Sequence, residues 1–216
     1  MDPPPYTDSE GYNASDIVQP GILVLAGRLV HSESTNSTVL YELDHVVSFL
    51  SRADHKVAFC RHDRRVRTDR YGEVRVTSRE RHIFNLESPH AVTSTSPYAF
   101  YLTSVSRRTL GNVGLKKTSI PKAGFKAIQI NRLGEEDNVL FEITRKDDNH
   151  EWWDNEGKRI AIEDHANDQL KMIITTPLPR DRADVAVWCL RLWHDAVVDQ
   201  NTSVLGKVGK KLGISK

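Results

Sequence analysis

The stretch SRRTLGNVGLKKTSIPKAGFK carries Arg107, Arg108, Lys116, Lys117, Lys122 and Lys126 and no acidic residue. Guanidinium groups grip phosphate through paired N–H donors, and ammonium groups attract it as compact point charges. Six such side chains without a carboxylate among them therefore read as an anion-binding site. A turn at Gly111-Asn112-Val113-Gly114 is expected to fold Arg107 and Arg108 back toward Lys116 and Lys117.

A second basic stretch, RHDRRVRTDRYGEVRVTSRERH, reads as a hairpin turning at DRYG. If Val66, Val74 and Val76 point inward, the two-residue period puts Arg65, Arg67, Arg75 and Arg79 together on the outward face. Asp63, Asp69, Glu73 and Glu80 lie among them. Surface ion pairing is expected to absorb this charge, which makes the stretch a solvated face. The C-terminal NTSVLGKVGKKLGISK holds Lys207, Lys210, Lys211 and Lys216, with Val204, Val208 and Leu212 every four residues. It could lie on an anionic membrane as a basic amphipathic helix. Gly206, Gly209 and Gly213 weaken that helix, so a flexible basic tail is the expectation.

At the other end stands Pro3-Pro4-Pro5-Tyr6. Pro3, Pro4 and Tyr6 match the Pro-Pro-x-Tyr ligands of group I WW domains. The prolines hold a polyproline II helix before binding, and the tyrosine fills a second pocket. The partner implied is a WW-domain protein, typically a HECT-type ubiquitin ligase. The bland alternative is a proline-rich tail without a partner.

Arrangements for catalysis are sparse. There is no G-x-S-x-G, no glycine-rich phosphate loop, no H-E-x-x-H and no paired C-x-x-C. Nine histidines are scattered, none at zinc-ligand spacing from the cysteines. His194 reads as a helix-end residue. Asp147, Asp148, Glu151 and Asp154 fit the polar end of a hairpin, where Trp152 and Trp153 point to opposite faces. Cys60 and Cys189 read as buried thiols. The expectation is a non-enzymatic binding protein without cofactor or metal; the rival is an enzyme with an unrecognised pocket.

The elements that would position these residues are short. In 216 residues, 30 basic and 29 acidic side chains nearly cancel, which opposes wholesale nucleic-acid binding. No apolar run nears the roughly 20 residues of a membrane span, and no signal segment opens the chain, so a cytoplasmic location is expected. Residues 1–19 are too poor in aliphatic side chains to order themselves. From Ile22, apolar or alternating runs such as ILVLAGRLV, TVLYEL, KVAFC, HIFNL, FKAIQI and VLFEITR alternate with turn clusters, which predicts antiparallel hairpins. No amphipathic helix separates the strands, so parallel βαβ units are excluded. After LKMIITT, the segment PLPRDRADVAVWCLRLWHDAVVD predicts a helix from Arg182 to Val198, with Asp181 as cap and apolar side chains around most of its circumference. The basic tail, 199–216, follows.

This order of events resembles the tubby C-terminal-like superfold, which includes tubby domains, plant LURP-one-related proteins and phospholipid scramblases. The likeness rests on LKMIITTPLPRDRADVAVWCLRLWHD, an acidic residue ahead of an apolar helix, and on VLFEITRKDDNHEWWDNEGKRIAIED, similar to the family's penultimate hairpin. It covers about residues 20–198. It implies a mainly β fold: an antiparallel closed barrel of about twelve strands around a C-terminal hydrophobic helix, which leaves no sheet edge and fills the lumen. The alternative is a β-sandwich with that helix packed outside. The resemblance also implies anionic phospholipid at a basic surface, as in tubby domains. The acidic calcium-binding segment of scramblases has no counterpart in RDRADV, so scramblase activity is not implied.

Overall fold

The computed structural model describes residues 17–35, 38–46, 56–87, 97–107, 109–118, 124–146, 149–164 and 169–187. The alternating runs form strands β1 (Ile17–Val18), β2 (Gly21–Ala26), β3 (Leu29–Ser32), β4 (Val39–Leu43), β5 (Lys56–Thr68), β6 (Val74–Glu87) and β7 (Phe100–Ser104). They continue through β8 (Asn112–Thr118), β9 (Gly124–Ile130), β10 (Glu136–Lys146), β11 (Asn149–Asp154), β12 (Arg159–Asp164), β13 (Leu170–Ile174) and β14 (Leu178–Pro179).

Strands β2 to β13 follow one another in chain order, each antiparallel to the next, and β13 closes a twelve-stranded barrel against β2. Closure satisfies the backbone groups that an open sheet leaves at its edges. The period of two then sorts the side chains. Leu25, Leu43, Phe59, Leu102, Phe141 and Met172 join one buried cluster. On β8, β9 and β10, Lys116, Lys126 and Glu142 point outward, the reverse of the apolar-out, polar-in wall of a membrane-spanning barrel.

Past β13 the chain pairs β14 with β1 and turns into helix α1, which starts at Arg180 and is described as far as Val187. Ala183, Asp184, Val185, Ala186 and Val187 are each at most 1% exposed and belong to the barrel's own cluster, Asp184 through hydrogen bonds and the other four through apolar packing. Five consecutive helical residues sweep more than a full turn, so the helix is enclosed on every side. That geometry belongs to a barrel around a helix, not to a sandwich with the helix outside. The helix begins two residues earlier than expected because Pro179 already holds a helix-compatible φ. Asp181 therefore sits inside the first turn, its Oδ1 accepting the N–H of Arg182 at 2.8 Å. The remainder of the expected helix, with His194 and Cys189, lies outside the described residues, as do both expected tails apart from Ile17 onward.

Two expectations change. Asn112–Thr118, whose first three residues were expected in a turn, is strand β8, with Val113 and Leu115 facing the core. The bend lies earlier, among residues 105–107 and 109–111, where Gly111 takes a positive φ of 87°. The second concerns the β5–β6 hairpin, whose valines do not face a core.

Candidate functional site

The lysines that the sequence grouped are distributed over more than one surface. Lys116 and Lys126 are direct cross-strand partners on β8 and β9. Lys117 alternates to the opposite face and is exposed. Arg107 is exposed past the end of β7, while Lys116 is four residues, about 13 Å, up β8 from Asn112. Arg108 and Lys122 lie outside the described residues. Pairing of β9 with β10 also brings in carboxylates that the basic stretch itself lacks. Lys116 Nζ meets Glu136 Oε1 at 3.1 Å, and Lys126 Nζ meets Glu142 Oε1, both from β10. Glu136 is held below the usual carboxylate range by its bonds from Lys116 first and Tyr98 second.

The β5–β6 hairpin behaves differently. Pairing of β5 to β4 ends at Arg61, and β6 last bonds its other neighbour where Ile83 accepts the N–H of Val105 at 3.1 Å. Beyond those points the two strands pair, among the described residues, only with each other as far as a turn at Asp69–Glu73, with Arg64 Nη1 near the base donating to Thr38 Oγ1 at 3.0 Å. Asp69 Oδ1 accepts the N–H groups of Tyr71 at 2.8 Å and Glu73 at 3.0 Å, and Gly72 supplies the positive φ of 84° that the turn requires. Every residue from Tyr71 to Glu80 is exposed. The sequence expectation that Val66, Val74 and Val76 face a core is overturned: they are 68%, 64% and 62% exposed, because the arm has left the barrel.

Along this arm Arg67 and Arg75 stand directly opposite each other, and Arg79 stands opposite Asp63. Yet Asp63 turns away from Arg79. Its carboxylate takes Arg61 Nε at 2.7 Å and Arg81 Nε at 3.0 Å. Among the described residues no carboxylate pairs with Arg67, Arg75 or Arg79. The ion pairing expected to consume this charge is thus absent there, since Asp63 serves the barrel mouth and Asp69 serves the turn. Arg70 lies 5.0 Å over the Tyr71 ring at the tip.

Where the arm meets the barrel, Arg61 links it to α1. Arg61 donates from Nη1 to Asp184 Oδ2 at 2.5 Å, and the Tyr41 hydroxyl donates to Asp184 Oδ1 at 3.0 Å. Tyr41 stacks on Phe59 with centroids 5.1 Å apart. Burial pushes Asp184 up to about 6 against the opposing pull of Arg61. Burial works to lower Arg61 and is outweighed by Asp184 and Asp63, so the guanidinium stays charged. This network clamps the helix to the wall.

An open groove of about 630 Å³ lies on the outer wall, with Trp153, Thr144, Glu142 and Glu151 among its lining. Trp153 faces it while Trp152 is buried, as the alternation predicts. Its three carboxylates are engaged, Glu142 by Lys126, Glu151 by Arg159 Nη1 at 3.0 Å, and Asp154 by the N–H groups of Glu156 at 3.0 Å and Lys158 at 2.8 Å. Inside the barrel His150 and Glu163 form a buried pair, the backbone N–H of His150 donating to Glu163 Oε2 at 3.0 Å. The Cys60 thiol is pushed up to about 12, by burial first and by Glu80 second, which keeps it protonated at neutral pH. Among the described residues no group of three His, Cys, Asp or Glu side chains converges for a metal ion, and no helix is long and apolar enough to cross a membrane.

Comparison with protein-family models, with curated proteins and with solved structures gives no match to this chain.

Proposed function

We propose that this protein is a non-enzymatic binding module that docks on anionic phospholipid headgroups, with the β5–β6 arm as its main contact. The observation that carries this reading is the Arg67–Arg75 pair. Like charges directly opposite across two strands repel, and here no described carboxylate relieves them. A phosphate placed between them receives donors from both guanidinium groups. Six arginines stand against two acids between Arg64 and Arg79, so the local field is positive although the chain as a whole is near neutral. The resemblance to tubby domains points toward the same ligand. Arg107 and Lys117, both exposed, are secondary contacts; Lys116 and Lys126 are already paired.

The test is co-sedimentation with vesicles containing phosphatidylserine or phosphoinositide. Charge reversal at Arg67 and Arg75 should lower binding at least tenfold. Retention of wild-type binding by that variant would reject the arm as the site.

For the N-terminal segment, Pro3, Pro4 and Tyr6 keep the proposed role of a WW-domain ligand, which would make the protein an adaptor. They lie outside the described residues, and the reading rests on their spacing.

A further inference from the structure

We propose that the β5–β6 arm is a bilayer anchor that enters tip-first, placing Val66, Tyr71, Val74 and Val76 at the headgroup–acyl boundary. The proposal rests on the anionic-lipid reading above and adds what that reading does not contain: an apolar contact that only an assembled bilayer can supply.

The valines are the starting point. Val66 and Val76 are direct cross-strand partners, and Val74 lies two residues further along the same face. They form one apolar patch on a ribbon that nothing in the described protein covers, with Tyr71 at the apex 78% exposed. A ribbon that only had to stay in water would carry threonine or charged residues at such positions. Arginine occupies the opposite face at the same height, through Arg67 and Arg75. An apolar patch, an aromatic apex and guanidinium groups at one level match a membrane interface, where rings sit among headgroups and long basic side chains reach back to phosphate.

Reach and depth follow from the backbone. The last described tie to the barrel on β5 is Arg64, whose Nη1 donates to Thr38 Oγ1 at 3.0 Å; from there to the turn at Asp69, about 3.3 Å per residue carries the tip roughly 17 Å from the rim. The barrel can therefore remain in water while the tip touches lipid. No described strand lies along either outer edge of the ribbon beyond the barrel, and hydrocarbon could not satisfy edge N–H and C=O groups as water does. Insertion consequently stops within about 5–10 Å of the headgroup region. Charge complementarity selects the occupant. A second copy of this arm would bring arginine against arginine, and a nucleic acid gripped by the arginine face would leave the valines wet.

The experiment uses the full chain, with Val74→Trp as a depth probe and Val66→Ser/Val74→Ser/Val76→Ser as the loss variant; all three valines are exposed, so neither change disturbs the core. Vesicles contain phosphatidylserine with lipids brominated at a shallow acyl position. Binding should quench the Val74→Trp fluorescence beyond the wild-type background, and the triple serine variant should lose about 10- to 100-fold in partition. Its affinity for inositol hexakisphosphate, a soluble polyanion, should stay within twofold of wild type. Vesicle binding with no extra quenching, and with the serine variant unaffected, would overturn insertion and leave the headgroup reading standing. Quenching on neutral phosphatidylcholine vesicles equal to that on anionic ones would uphold insertion and overturn the headgroup reading. Binding to inositol hexakisphosphate or duplex DNA but to no vesicle would overturn the anchor outright.

Discussion

Asp184, in the enclosed part of α1, accepts hydrogen bonds from Tyr41 on β4 and from Arg61 on β5, so one carboxylate ties the helix to two neighbouring strands of the barrel. Asp184 and Arg61 are 123 residues apart in sequence, and both are nearly closed off from water. Removing one partner of such a pair leaves the other charge buried alone.

Stability at this clamp should depend on pH in a definite direction. Asp184 lies near 6 in the folded protein against 3.8 for the free side chain. Its contribution is therefore full below about pH 3.8 and is lost as pH rises through 6, a change of about 3 kcal/mol. Urea midpoints of wild type minus those of Asp184→Asn, taken from pH 4 to 7.5, should fall over that window. In Arg61→Leu the unpaired carboxylate should cost about 3–5 kcal/mol at pH 7.5, and less at pH 5, where Asp184 can take up a proton. A loss equal at both pH values would show that Arg61 acts through packing alone.

Gly124 should be intolerant of any side chain. A Cβ there would sit 2.0 Å from the carbonyl oxygen of Ile143 on the neighbouring strand. Backbone cannot yield as a flexible side chain can, so Gly124→Ala should destabilise by about 3 kcal/mol or more, read as a lowered urea midpoint with unchanged slope. Unaltered stability would mean that β9 and β10 are not in the register in which Gly124 faces Thr144.

The arm and the lysine region should separate by salt dependence. Headgroup binding through Arg67, Arg75 and Arg79 should weaken steeply as ionic strength rises from about 0.05 to 0.2 M, since surface charges are screened over about 10 Å at 0.1 M. Reversing Lys116 and Lys117 should change vesicle affinity only about two- to threefold, because Lys116 is already paired with Glu136. A larger loss there than at Arg67 and Arg75 would return the site to the β8–β9 wall.

A peptide of residues 1–13 should bind a group I WW domain in a fluorescence titration, and Tyr6→Ala should weaken it at least tenfold. Equal binding of the two peptides would dispose of the motif.

Much of the architecture was legible in the chain. Alternating runs with turns between them specify antiparallel strands, and the unbroken apolar run VAVWCL from Val185 to Leu190 has to be surrounded. Strand β8 was obscured because Gly114, Lys116 and Lys117 are poor strand formers, and the Val113/Leu115 alternation beneath them is only two residues long. HIFNL and EVRVTS read as separate runs, yet they are one strand, β6, half within the barrel and half beyond it.

What the sequence determined by itself is local: which segments alternate, where the chain turns, and which residue types could grip an anion. Which charges remain available was decided only by the tertiary structure. Pairing of β8, β9 and β10 side by side carries Glu136 and Glu142 to Lys116 and Lys126, and within the β5–β6 hairpin Asp63 turns from its partner Arg79 toward Arg61 and Arg81. The physical reason is range. Backbone preference acts over a few residues, whereas an ion pair requires about 4 Å of separation in space and ignores separation along the chain.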